Sequence, residues 1–296
     1  MAERLSVVIL TFEAEATLGA TLASVAGLAD EVFCVDSGSR DRTVEIARAA
    51  GATVVEHPFE HYGAQRNWAI ESLPLGGGWE LHLDADERLT PVLAAEIRRI
   101  LESSPAELEG CYIPRLVHFL GQPLRHGGFY PIYHLRLFRR GRGRCEDRLY
   151  DQHFYVAGRT ERLAAPMIDD MRGPFAVWKA RHRRWARLEA EQLLRGPAPQ
   201  PGVIAGRFGG SPVERKRAQR RLYERLPPFL RPFLLFGYRF LLRGGFRDGR
   251  QGWRFYWHQT LCFRLLVDWH LVRLRLRRAL GEKTAGRPGQ GRPKRR

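Results

Sequence analysis

The chain has 296 residues, 44% of them apolar, enough for a substantial core, and this excludes a disordered polypeptide. Its net charge of +17 is unevenly placed: residues 1–171 hold 18 basic and 25 acidic side chains, whereas residues 172–296 hold 31 and 7. An acidic half beside a strongly basic one suggests two tasks, binding a small ligand or metal and meeting an anionic surface.

No uncharged run approaches the roughly 18 to 20 apolar residues of a membrane span. Cys34, Cys111, Cys145 and Cys262 form no Cys-x-x-Cys pair, so no zinc ribbon or redox motif is expected, and a reducing cytosol is the expected compartment. Met1-Ala2-Glu3-Arg4 leads straight into a strand-like run, so no signal peptide is expected.

Leu5–Leu10 reads as a buried strand, ended by Thr11-Phe12-Glu13. Leu18, Leu22 and Val25 recur at helical spacing, which predicts a helix through Ala14–Leu28. A second strand is expected at Glu31–Asp36, closed by Ser37-Gly38-Ser39. A helix over Asp41–Ala50 stops at Gly51, and Thr53–Glu56 is a third strand. Tyr62–Leu73 is helical, and Gly76-Gly77-Gly78 is a turn, with no Lys-Ser/Thr after it to make a phosphate loop. Trp79-Glu80-Leu81-His82-Leu83-Asp84-Ala85-Asp86 reads as a fourth strand, and Pro91 opens a helix to Leu101. Strands alternating with helices at this pace predict a parallel sheet covered on both faces.

In such sheets ligands bind outside the carboxyl ends of the strands. Thr11 to Glu13, Asp36 to Ser39 and Asp84 to Asp86 therefore share one crevice, and all three ends are polar or acidic. Asp84 and Asp86 are two residues apart, so a continuing extended strand puts both carboxylates on one face. Paired carboxylates repel unless a cation joins them. Hard oxygen ligands suit Mg2+ or Mn2+, with a diphosphate able to supply further oxygens.

Beyond residue 101 the pattern loosens. Strands are expected at Cys111–Leu116 and Tyr133–Phe138, and a polar loop at Cys145–His153. A helix is expected at Phe175–Leu194, a linker at Gly196–Gly202, and a basic helix at Glu214–Arg225. Trp178 and Trp185, seven apart, return to one helical face and read as packing. His57, His61 and His82 lack metal-binding spacing. His118, His126, His134 and His153 are candidates for lining an acceptor pocket.

Phe229–Leu242 and Trp253–Leu280 crowd aromatic and leucine side chains with arginines. Arg231, Arg239 and Arg243 interrupt the first segment, so it cannot cross a bilayer cheaply. Both segments suit helices lying in the headgroup layer of an anionic membrane. Three regions are expected: 1–171 as the ligand-binding domain, 172–280 as a basic amphipathic helical region, and 281–296 as a disordered tail.

Taken together, Leu5–Glu13, Val35-Asp36-Ser37-Gly38-Ser39-Arg40-Asp41-Arg42-Thr43 and Leu83-Asp84-Ala85-Asp86-Glu87 resemble the leading motifs of the family 2 inverting glycosyltransferases. Gly63-Ala64-Gln65-Arg66-Asn67-Trp68-Ala69 resembles a fourth. Tyr238–Gly249 is similar to the helical tail of the branch that includes lipopolysaccharide-core glucosyltransferases. The resemblance implies a GT-A fold, α/β with a mostly parallel Rossmann-like sheet flanked by helices. It implies a nucleotide-diphospho-sugar donor, UDP-linked first, and a glycan or lipid-linked acceptor. Thr11, Glu13, Asp36 and Ser37 would bind the nucleotide, Gln65, Arg66 and Asn67 would help hold it, Asp84 would sit near the ribose or metal, and Asp86 would bind the metal. The family's entry motif has Asn before the Glu, where this chain has Phe12. An inverting transfer needs a carboxylate as general base, and the loop Glu146–Asp151 stands where the family keeps one. Asp147 is the first candidate, Asp151 the second, and Glu146 lies beside them. The implied location is the cytoplasmic face of the cell membrane.

Two other classes compete. A nucleic-acid-binding protein would use the basic, aromatic half, but no recognition-helix, zinc-finger or RNP-like pattern accompanies it, so no specific nucleic acid is expected. A Rossmann dehydrogenase lacks its Gly-x-Gly-x-x-Gly after the first strand.

Overall fold

Seven consecutive buried residues, Leu5–Thr11, form β1, an interior strand of the sheet. A strand covered on both faces needs no polar alternation, and this one has little. In the computed structural model, which describes residues 2–148, 151–195 and 204–280, β1 pairs in parallel with β2 (Glu31–Asp36) and β4 (Trp79–Asp84), and β2 with β3 (Thr53–Glu56). The expected linker at Gly196–Gly202 and the tail 281–296 lie outside the described residues.

Helices α1 (Leu18–Val25), α2 (Thr43–Ala49), α3 (Tyr62–Ser72) and α4 (Pro91–Ser103) complete this half. α1 is shorter than its periodicity predicts. Ala14–Thr17 is coil and turn, and Gly27, at φ 72°, lets the chain leave the helix. α4 starts where Thr90 accepts the Leu93 amide at 3.2 Å with Pro91 in the first turn, and it buries Leu93, Ile97 and Leu101.

The sheet is mostly parallel, as expected, and its second half brings in the antiparallel strands. Here β5 (Glu87–Leu89), β6 (Leu108–Phe119), β8 (Ile132–Arg139) and β12 (Met167–Met171) extend the sheet in the order β3-β2-β1-β4-β8-β6-β12-β5. β8 runs antiparallel to both β4 and β6, and β5 antiparallel to β12. Short strands β7 (Gln122–Pro123) and β11 (Arg159–Arg162) also join β6, while β9 (Arg144–Cys145) and β10 (Phe154–Tyr155) pair separately. β4 and β5 are consecutive in the chain, yet three strands stand between them. The sheet therefore curls, and the turn Asp84–Glu87 closes the curl. The extended run expected through Asp86 is corrected: β4 stops at Asp84, and Ala85 and Asp86 form the turn.

The basic half is helical: α5 (Phe175–Arg195), α6 (Pro212–Glu224), α7 (Leu230–Gly237), α8 (Gly249–Tyr256) and α9 (Phe263–Ala279). It is fastened to the sheet through a shared cluster in which Val117, Phe119 and Leu124 meet Trp178, Phe255 and Tyr256. Each large side chain fully buried there stabilises by about 1.5–3 kcal/mol. Buried Asp248, just ahead of α8, adds a polar fastening: it accepts from the amides of Arg125 and His126, both at 3.1 Å.

Candidate active site

Three strand ends do meet at one crevice, and much of their polar chemistry orders the crevice itself. Thr11 Oγ1 donates to Asp36 at 2.9 Å, and Asp36 also accepts from the amides of Gly38 and Ser39 and from the Ser39 hydroxyl. These bonds shape the loop after β2. Glu13, exposed and at φ 48°, accepts the Arg40 amide at 2.9 Å and so ties the β1 loop to the β2 loop. A non-glycine residue at such φ costs of order 1–3 kcal/mol, and the two knitted loops hold it there.

Helix α3 contributes three successive side chains with three separate tasks. Gln65 bonds the His57 ring at 2.8 Å and donates to Ser37 Oγ at 3.4 Å. Arg66 is buried and donates to Leu83 O at 2.9 Å and to the Asp84 carboxylate. Asn67 holds the backbone of Cys145 with both ends of its amide, at 3.0 and 2.8 Å. Arg66 and Asn67, expected to help hold a nucleotide, are turned to protein groups instead. They clamp the end of β4 and the start of the 145–153 loop.

The acidic centre contains Asp84, Asp86, Glu87 and Asp169. Arg66 and Arg136 pair with Asp84, Arg136 also with Glu87, and Arg115 with Asp169. Four carboxylates thus face three guanidiniums, and the uncompensated one is Asp86. Among the described residues its carboxylate has no hydrogen-bond or ion-pair partner. The electrostatics follow. Burial pushes the Asp84 carboxyl up, but Arg136 and Arg66 outweigh it and hold Asp84 well below the usual carboxylate range. Burial and the neighbouring Asp169, Asp84 and Glu87 charges push Asp86 well above that range, with Arg181 opposing. Burial pushes Glu87 and Asp169 up as well, despite their arginines.

Among the described residues, no three His, Cys, Asp or Glu side chains gather to hold a metal unaided. A single unpaired carboxylate at the mouth of a crevice still fits a hard divalent ion, because Mg2+ is commonly held by one or two carboxylates plus phosphate oxygens and water. Asp86 is the residue able to hold it, with Asp84 beside it but already bonded to two arginines.

The loop expected to carry a base divides sharply. Glu146 is fully buried and accepts from the His153 amide, the Ile204 amide and Arg217, each at 2.9 Å, which keeps its pKa low against the burial that would raise it. Asp151 meets Lys216 at 2.7 Å and Arg220 at 3.1 Å, and these charges hold it well below its ordinary value although burial alone would raise it. Both acids lock the loop to α6. Asp147 remains 78% exposed, and among the described residues its carboxylate pairs only with His61 Nε2, at 3.2 Å. His61 in turn caps α3, accepting the Ala64 amide. Of the histidines proposed for an acceptor pocket, His126 is committed to Asp248 at 2.6 Å and His153 is buried against Glu146 and Lys216. The Trp178 indole packs against Phe119, as its spacing predicts.

Sequence reading missed Glu87, Arg136, Arg115 and Asp169. One signal was present: Leu135-Arg136-Leu137 places a charge inside an apolar strand, which is costly unless an opposite charge waits there.

Residues 6–116 match the family described as Glycosyl transferase family 2. An uncharacterized glycosyltransferase of Rickettsia typhi is 39% identical over 101 residues, 34% of each chain. A dolichyl-phosphate hexose transferase of Haloferax volcanii is 47% identical over 69 residues, 22% of this chain and 30% of that one. The matched stretch thus spans about a third of these relatives. A mannosyltransferase from Pyrobaculum calidifontis, solved in complex with GDP-Man and Mn2+, superimposes with a TM-score of 0.50 at 14% identity, covering 96% of this chain and 89% of that one. The fold is of the GT-A type.

Proposed function

We propose that this protein transfers a sugar from a nucleoside-diphosphate donor to a hydroxyl of a cell-envelope glycan or lipid-linked acceptor, with inversion at the anomeric carbon. The observation that carries this reading is the unpaired, half-buried Asp86 among otherwise compensated charges, at the strand-end crevice of a GT-A fold. Asp86 would hold the divalent ion, which when bound would supply Lewis-acid neutralisation of the leaving diphosphate. Arg136 and Arg66 keep Asp84 ionised and fixed beside it. The ordered loops after β1 and β2 receive the nucleoside. Asp147 takes the proton of the acceptor hydroxyl as its oxygen bonds to the anomeric carbon and the bond to the diphosphate breaks. A neighbouring acid would be held by its arginines; Asp147 is not.

The acceptor reading rests on the basic half. Leu230, Phe233, Leu234, Tyr238 and Leu241 follow i, i+3, i+4, i+8, i+11 along α7 and the π-helical turn Tyr238–Leu242 that continues it, and all are exposed. Trp253 and Trp257, stacked at 5.6 Å, are also exposed, on α8 and the turn that follows it, with Trp257 5.8 Å from Phe236 of α7, and Arg243, Arg247 and Arg250 are exposed too. An apolar face rimmed by arginines suits the headgroup layer of an anionic membrane. Not all the expected residues belong to it. Phe255, Leu261 and Phe263 are buried, Arg231 is buried against Asp268 at 2.9 Å, and Arg239 covers the Phe129 ring at 4.3 Å. No helix among the described residues is long and apolar enough to cross a membrane.

The test is thermal stabilisation and turnover with a panel of UDP- and GDP-sugars, with and without Mn2+. A nucleoside diphosphate plus Mn2+ should raise the melting temperature, and a duplex oligonucleotide at physiological salt should not. The reverse pattern would overturn the transferase reading in favour of nucleic-acid binding.

A further inference from the structure

We propose that Arg181, on the helix that follows the sheet, is a catalytic residue that contacts the donor diphosphate and takes up the negative charge appearing there as the sugar leaves. The inference rests on the transferase reading above and adds a residue from the basic half to the acidic crevice.

The placement comes from packing. Trp178 of α5 lies 5.3 Å from Phe119 at the end of β6, and Met171 of β12 joins the same cluster. Met171 and Asp169 are two apart on β12 and so share a face. Helix α5 therefore lies over the face from which Asp169 projects, and Arg181 is one turn beyond Trp178. Its guanidinium rests on the Trp185 ring at 5.1 Å and is otherwise exposed. Its positive charge opposes the upward push that burial gives the Asp86 and Asp169 carboxyls and the Tyr62 hydroxyl.

What distinguishes Arg181 is its freedom. Arg66, Arg115 and Arg136 are each engaged by a carboxylate. Among the described residues no carboxylate lies within 4.0 Å of Arg181. Counting it, the four acids of the centre face four guanidiniums, and among the described residues one anion, Asp86, and one cation, Arg181, are left without an ion-pair partner. A divalent ion at Asp86 would satisfy that carboxylate and offset the charge the bound diphosphate already carries. The transfer then adds one more: the acceptor oxygen bonds to carbon, the carbon–oxygen bond to phosphate breaks, its electron pair stays on the diphosphate, and the acceptor proton goes to the base. Among the described residues, Arg181 is the cation of the centre without an ion-pair partner. Its planar fork matches phosphate oxygens, and the stack on Trp185 limits the freedom lost on binding. A preoriented donor aimed at charge that develops in the transition state lowers the barrier more than the ground state.

The experiment compares wild type with Arg181→Ala and Arg181→Lys in three measurements: kcat and KM with a nucleotide sugar, calorimetric affinity for the nucleoside diphosphate in EDTA and in Mn2+, and melting temperature. Arg181→Ala should lower kcat by about 10²- to 10³-fold. It should also weaken the nucleoside diphosphate, in EDTA as well as in Mn2+, more than the less charged nucleotide sugar. The melting temperature should be unchanged, and Arg181→Lys should recover part of the loss. Unchanged kcat and product affinity in Arg181→Ala would overturn the inference, as would a loss accompanied by a lower melting temperature and no recovery with Lys. If the wild type itself bound no nucleoside diphosphate, the transferase reading would fall first and this inference with it.

Discussion

The guanidinium of Arg136 lies 2.8 Å from the Asp84 carboxylate and, through the same nitrogen, 2.6 Å from Glu87. With Arg66 on its other oxygen, Asp84 is a compensated acid, while Asp86 two residues on is not. The two aspartates should therefore fail differently. Asp86→Ala should abolish metal-dependent nucleotide binding and transfer, with a melting temperature equal to or above wild type, because a repelled carboxylate is removed. Asp84→Ala should destabilise, because it strips two buried arginines of an anion. Breaking a fully buried pair costs about 3–5 kcal/mol, and with Asp84 39% exposed about 1–3 kcal/mol is expected. Near-normal turnover of Asp86→Ala with Mn2+ would refute its metal role.

The acids of the 145–153 loop should separate in the same way. Asp147→Asn should leave the melting temperature and nucleotide-sugar affinity intact and lower turnover by roughly 10²- to 10⁴-fold. Asp151→Asn should lower stability, because Lys216, Arg217 and Arg220 converge on that carboxylate. A fully active Asp147→Asn beside a stable, inactive Asp151→Asn would move the base to Asp151.

Acid should destabilise the fold through two buried imidazoles. Burial pushes both His82 and His182 down to about 4 from an ordinary 6.5. Between those values the unfolded chain binds protons that the folded chain refuses. Stability therefore rises with pH across the interval, is complete above about 6.5, and is lost as pH falls towards 4. Each histidine is worth about 3 kcal/mol over the full interval. Melting curves from pH 7 to 4.5 should fall less steeply for His82→Gln than for wild type, and an identical slope would remove His82 from the account.

Membrane docking is separable from folding, because the face concerned is exposed. Phe233→Glu with Leu234→Glu should leave the melting temperature unchanged and abolish co-sedimentation with anionic vesicles. Arg247→Ala with Arg250→Ala should weaken that binding by about 2 kcal/mol at low salt, roughly thirtyfold, since each basic residue near the surface is worth about 1 kcal/mol. Substitutions are better suited than truncation after residue 171, which would uncover Phe119. Equal recovery of wild type and the Glu variant on anionic vesicles would leave the apolar face as a docking site for another protein.

Much of the first half was legible because its information is local. A run such as Leu5–Leu10, apolar except at Ser6, can hardly be anything but a buried strand, and Thr53–Glu56 falls where its pattern places it. The meeting of the ends of β1, β2 and β4 follows from strand–helix alternation alone. By itself, then, the sequence determined the parallel half of the sheet, the crevice and the presence of Asp84 and Asp86 in it. Which of those aspartates stays free was decided only by tertiary structure. Arg136 is 52 residues beyond Asp84, and Asp169 sits on a strand that the curl brings round from the far side of the sheet. Periodicity records which face a residue takes on its own element, and carries no record of which distant strand will lie opposite. The same holds for the arginines of the basic half: composition counts Arg217, Arg231 and Arg243 alike, but only packing buries the first two against carboxylates and leaves the third in solvent.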